Sequence, residues 1–143
     1  MKPFVFLVLA ALCAGSAAAQ APVVQKETLY ESLGGRDGVD RLAAAAVRHV
    51  MGDLRINLFF ENGNPDESRR LVAEQICAIS GGPCSYTGRS MEEAHSGMNL
   101  IDADFDAFMQ DVAAAMDETQ VAPDARQRLL ALFEAMRPQV VGQ

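Results

Sequence analysis

The chain of 143 residues has two histidines, three cysteines and no tryptophan, so any site needing nitrogen or sulfur ligands must be built from very few side chains. His95 is the better placed histidine. It lies in GGPCSYTGRSMEEAHSGMNL, residues 81–100, where Gly81, Gly82 and Pro83 end one helix. Ser90, with Glu93 three residues on, has the reciprocal capping pattern that starts another. Gly97 closes that helix after little more than a turn, which fixes an imidazole in space. With Met91, Ala94 and Met98 around it, His95 permits two readings. One is a half-buried helix residue with a satisfied ring. The other is the axial ligand of a haem iron, for which one protein imidazole suffices. A structural zinc site needs about four ligands, and the sequence offers one other histidine and no CxxC pair.

His49 falls between Val47 and Val50, beside Arg48 and away from the apolar stripe of its helix, and reads as a solvated surface residue. Cys77 and Cys84 stand seven apart across the Gly81-Gly82 turn. They form a disulfide if the turn brings them together in an oxidising compartment, and are buried free thiols otherwise.

Helices must position these groups. Thr28 and Glu31 make a capping box for a short helix, Leu29 to Leu33, stopped by Gly34-Gly35. Asp37 is expected to cap the next, in which residues 39, 42, 43, 46, 47, 50 and 51 recur at helical steps. Leu54 to Phe60 is a short turn ending in two aromatics that cannot share one helix face. Asn64-Pro65 starts a helix whose inward face is Leu71, Val72, Gln75, Ile76 and Ile79. Asp102 is expected to cap a long helix that turns Phe105, Phe108, Met109, Val112, Ala113 and Met116 inward. Pro123 opens the last helix, carrying Leu129, Leu130, Leu132, Phe133 and Met136. No stretch has strand periodicity, and no Rossmann or P-loop glycine motif occurs.

The amino terminus is of another kind. Lys2, the apolar run Phe4 to Cys13 and Ala17-Ala18-Ala19 read as a secretory signal over residues 1–19. Residues 20–27 are a flexible lead, leaving 28–141 as one single-core domain. The expectation is an exported, periplasmic protein with no stable membrane insertion, the apolar run being too short for a finished anchor. Lipidation at Cys13 is the lesser alternative, since Leu12 is bulkier than the residue such a site takes. A net charge of −7 without a basic cluster excludes nucleic acid as an expected partner.

The run GGP, YTGR, M and AH-G closely resembles the segment between the E and G helices of group I truncated haemoglobins. TLYESLGG, RINLFF, DADFDAF and LLALFEAMRPQVV extend the likeness in order over about residues 28–141. The resemblance implies an all-α, two-over-two helical sandwich around haem b, with His95 as the iron ligand. It places Phe60 against the haem ring, and Met91, Met98, Leu100 and Phe105 on the proximal side and haem edge. Tyr86, Thr87 and Arg89 are its candidates for the haem propionates, Arg89 being favoured by charge.

On the distal side the sequence departs from the family's pattern. Val47 and Val72 stand where many members carry a tyrosine and a glutamine, and neither can donate a hydrogen bond. Ser68 takes the position of the distal histidine of other globins, and Leu71 that of a second iron-binding histidine in some relatives. Gln75, one turn beyond Val72, reaches inward only if the helix is rotated. The resemblance thus implies a five-coordinate iron with a largely apolar sixth site, binding dioxygen, nitric oxide or carbon monoxide reversibly. The alternative is an enzyme, a nitric oxide dioxygenase or peroxidase served by an unidentified reductase. Such chemistry gains from distal acid-base or polarising groups that Val47 and Val72 lack.

Overall fold

The computed structural model describes residues 27–143; the signal-like run and almost all of the lead lie outside the described residues. Seven α-helices follow in order: α1 Leu29–Ser32, α2 Gly35–Gly52, α3 Pro65–Ile79, α4 Met91–His95, α5 Asp102–Glu118, α6 Pro123–Glu134 and α7 Arg137–Val140. A 3-10 turn, Asn57–Phe60, precedes α3, and no strand occurs among the described residues. α2 packs on α3 and on α5, and α5 on α6, which is the two-over-two helical sandwich.

Local signals set most helix starts. The side chain of Thr28 accepts from Glu31 N–H while Glu31 accepts from Thr28 N–H, and Asn64 accepts from the N–H groups of Asp66 and Glu67 ahead of Pro65. Two expected caps are displaced. α2 begins at Gly35 after Gly34 at φ +90°, which puts Asp37 inside the first turn, where its charge favours the helix dipole. The turn is close enough that a Cβ on Gly38 would sit 1.8 Å from the Leu33 carbonyl oxygen. At α5, Asp102 is the first helical residue, and Asp104 supplies the cap by accepting from Ile101 N–H at 3.0 Å. The last expected helix is two. Pro138 has no N–H to donate to the Glu134 carbonyl, so α6 ends there, Met136 falls in the break, and α7 starts at Arg137.

The core lies where α2 crosses its neighbours: Leu42, Ile76, Met116, Leu129, Val39 and Val112 are essentially inaccessible. The stripe read on α2 is buried at Val39, Leu42, Ala43, Ala46 and Val50, while Val47 and Met51 are half-buried. Arg137 fastens α7 to α5 and α6 through Asp102, Asp106 and Glu134; its guanidinium lies 4.4 Å above the Phe105 ring.

One buried polar group answers to no sequence signal. Asp111 on α5 is 9% exposed, and its Oδ2 has no hydrogen-bond partner among the described residues. Burial, then the nearby Asp53 charge, raises its pKa above the ordinary 3.8, against the opposing pull of Arg55 and His49. A carboxyl raised in the folded state binds more protons folded than unfolded as pH rises past that ordinary value, so its effect there is to lower stability with rising pH. Asp111→Asn should therefore raise the thermal midpoint by a few degrees at neutral pH and leave it nearly unchanged near pH ~4. Calorimetry at the two pH values measures this, and equal shifts at both would assign the effect to packing instead.

Candidate functional site

His95 is the last residue of α4, and α4 holds because both its ends are tied. Ser90 accepts from Glu93 N–H at 3.2 Å, Glu93 accepts from Ser90 N–H at 3.1 Å, and Gly97 turns the chain away at φ +79°. The imidazole Nδ1 lies 2.7 Å from the Met91 carbonyl oxygen. A carbonyl only accepts, so Nδ1 carries a proton, and in the neutral ring Nε2 keeps its lone pair. This is the tautomer in which a histidine binds a metal, oriented through its other nitrogen.

The half-buried ring lines a cavity of about 330 Å³, within the usual range for small-molecule and cofactor pockets. One wall is α3, through Ser68, Leu71, Val72 and Gln75, with Ile56, Phe59 and Phe60 at its outer end. Opposite elements supply Met91, Ala94 and His95 from α4, then Met98 and Leu100. The base is Phe105 and Phe108 of α5 with Phe133, Met136 and Val140; Phe108 packs edge-on to Phe133 with ring centroids 5.8 Å apart. Tyr86, Arg89 and Asp104 also line it. The structure thus gathers Phe60, Ser68, Leu71, Val72, Tyr86, Arg89, Met91, His95, Met98, Leu100 and Phe105 around one space.

Three residues sit elsewhere than expected. Thr87 is outside the cavity: its hydroxyl donates to Glu74 at 2.7 Å, its N–H donates to the same carboxylate at 3.0 Å, and Arg70 donates to its Oγ1. These bonds, the hydroxyl's first, hold the Glu74 carboxyl below its ordinary range. Val47 faces a separate depression with Ala44, Met51, Pro65 and Arg69. Its position on α2 is beside the buried stripe, on the seam with the start of α3. His49 is not simply solvated; its Nε2 lies 3.0 Å from Glu118, which also pairs with Arg48. It is absent from the cavity lining. Gln75, on the expected inward face of α3, does line the cavity, so an otherwise apolar wall carries an amide. Phe108, Phe133 and Met136 were readable only as core, since a cavity wall and a core demand the same apolar periodicity.

The segment carrying Tyr86 and Arg89 is tied to α3. Cys77 and Cys84 form a disulfide with Cα atoms 5.8 Å apart, and a Cβ on Gly82 would lie 2.6 Å from Cys77 Sγ. Burial raises the Tyr86 phenol's pKa while the Arg89 charge lowers it. Arg89 donates to the Glu93 carbonyl at 3.3 Å and has no carboxylate partner among the described residues. The cavity therefore suits a flat, largely apolar group with a metal that accepts one imidazole and anionic substituents that reach Arg89. Haem fits that donor set.

Fold and site define an all-α protein that presents one oriented imidazole to an aromatic-walled space. The profile of the family described as bacterial-like globin matches residues 28–141, and the chain belongs to that family, within it to the group I truncated haemoglobins. It is 31% identical to the group 1 truncated hemoglobin of Tetrahymena pyriformis over 82% of this chain and 97% of that one. With the Tetrahymena thermophila protein it is 29% identical, covering 83% and 98%. The crystal structure of the T. pyriformis protein in its Fe(III) form superposes with a TM-score of 0.78 over 82% of this chain and all of that one. The cyanomet 2/2 hemoglobin of Synechococcus, which has covalently attached heme, is 27% identical with a TM-score of 0.75, over 82% of this chain and 100% of that chain.

The disulfide spans a short loop, and a bridge of this kind contributes about 2 kcal/mol. Reduction should release two thiols under denaturing conditions and lower the urea midpoint by that equivalent. Thiol titration with parallel urea melts checks both, and an unchanged midpoint would show that Glu74 and Thr87 hold the segment without the bridge.

Proposed function

We propose that this chain is a haem b protein that binds dioxygen or another diatomic gas reversibly at an iron ligated by His95. The observation that carries the reading is the 2.7 Å contact from Nδ1 to the Met91 carbonyl, which leaves Nε2 as the free donor of a half-buried ring at the cavity wall. Haem would supply the iron at which the gas would bind. The chain's own part is to orient the imidazole and exclude water with Phe60, Leu71, Val72 and Phe105. Arg89, and Tyr86 beside it, are assigned to the anionic edge. Non-covalent haem is supported by the disulfide, which leaves neither Cys77 nor Cys84 for a thioether link.

Export of the chain to an oxidising compartment belongs to the same proposal, and the disulfide supports it. Among the described residues no helix is long and apolar enough to cross a membrane. Gas binding is preferred to dioxygenase or peroxidase turnover because no acid-base side chain of α2 reaches the cavity; a turning-over enzyme would also call on a reductase.

His95→Ala should cut haem retained after gel filtration from about one per chain to a small fraction, while His49→Ala retains it. Haem extraction and the Soret band measure both. Retention by His95→Ala with loss in His49→Ala would refute the assignment. Haem bound only to the folded chain must also raise the melting temperature by linkage.

A further inference from the structure

We propose that Gln75 is a positioning residue for His95, acting from the facing wall through the side chain of Met91, an assignment that rests on the haem reading above. Met91 is used twice. Its backbone carbonyl accepts from His95 Nδ1 at 2.7 Å, and its thioether sulfur lies 3.1 Å from Gln75 Nε2. Among the described residues this is the one hydrogen bond that joins α3 to α4. The direction of the amide is settled by chemistry. A thioether offers lone pairs and no proton, so glutamine must present its NH2 group to the sulfur rather than its oxygen. Both groups are half-buried, where an amide N–H has little water to turn to.

Without that contact the rotation of α4 would be set by weaker means. The capping box of Ser90 and Glu93 lies within the same segment, so it shapes the helix but turns with it. Packing of Met91 and Met98 on Leu100, Phe105 and Val140 resists separation, yet burial is non-directional and leaves a one-turn helix free to roll. A roll of α4 would carry the Met91 carbonyl and the His95 ring together. The bond between them would survive, while Nε2 would point elsewhere. A directional contact from the opposite wall removes this freedom. The same Gln75 nitrogen lies 3.6 Å from Met136 Sδ, in the break that leads into α7, and α7 packs against α4. One amide therefore reaches both the helix that bears the histidine and the approach to the helix that backs it.

The test uses haem-loaded parent, Gln75→Met, Met91→Leu and the double variant. Gln75→Met removes the donor and Met91→Leu the sulfur; both nearly conserve volume, which guards against failure by packing alone. The iron–histidine stretch of the ferrous, ligand-free protein, read by resonance Raman, should shift and broaden in each single variant. Haem transfer to an excess of a haem-accepting apoprotein should become about fivefold faster in each, as expected for loss of one hydrogen bond. The double variant should be no worse than either single, because all three lack the same contact. An unchanged stretch in Gln75→Met overturns the proposal, whether or not haem leaves faster, since faster loss alone reports a looser pocket. Additive effects in the double variant overturn it too, because the two side chains would then act separately. A parent chain that takes up no haem overturns the haem reading itself, and this outcome is visible in the Soret band before any variant is compared.

Discussion

The site depends on a helix too short to stand by itself. Five residues of α4 fall far below the length at which a helix is stable in water, yet the direction of Nε2 is set by the Met91 carbonyl within that helix. Its rigidity is borrowed. The capping box satisfies its first N–H groups, and Met91 and Met98 pack on a cluster of Leu100, Phe105 and Val140. The chain terminus closes over the exit, with Gly142 N–H donating to the Leu100 carbonyl and Asn99 N–H to that of Gln143. Arg137 then pins α7, and with it Val140, against α5. The imbalance between a weak local structure and a strong tertiary clamp explains why the last residues belong to the site although none bears its chemistry.

The facing wall follows the opposite logic. α3 is fifteen residues long and firmly seated on α2 through Ile76 and Cys77. The Cys77–Cys84 disulfide and the Glu74 carboxylate tie it to the segment 84–89. Because that carboxylate accepts from Thr87 twice, the loop bearing Tyr86 and Arg89 is fixed by bonds that lie outside the cavity. The cavity lies between two walls, each anchored on its far side, over a base of Phe105, Phe108 and Phe133.

What can be read from the residues alone is mostly what a local interaction decides, although the caps expected at Asp37 and Asp102 fall elsewhere. Thr28 with Glu31, Asn64 with Asp66 and Glu67, and Ser90 with Glu93 each satisfy helix-end donors within four residues, so their effect does not depend on the rest of the chain. His95 between its cap and Gly97 belongs to this group. Rotation of a helix about its axis does not. The resemblance puts Val47 on the distal side and periodicity puts Gln75 on the inward face of α3; the structure turns Val47 to the seam and Gln75 to the cavity. The burial of Asp111, the pairing of His49 with Glu118 and the capture of Thr87 by Glu74 join residues distant in sequence, where spacing carries no information. The break before α7 was legible in principle, since Pro138 lacks the N–H that continuity would need.

The central claim is that His95 holds iron through Nε2 while Nδ1 keeps its proton on the Met91 carbonyl. Because the chain has only two histidines, nitrogen magnetic resonance of ferric haem-loaded protein labelled with ¹⁵N-histidine can address each ring nitrogen separately. The His95 Nε2 signal should be shifted far outside the ordinary imidazole range or broadened away by the paramagnetic iron, with the Nδ1 proton slow to exchange and the His49 ring unaffected. An unshifted His95 ring, or a fast-exchanging Nδ1 proton, would contradict the account.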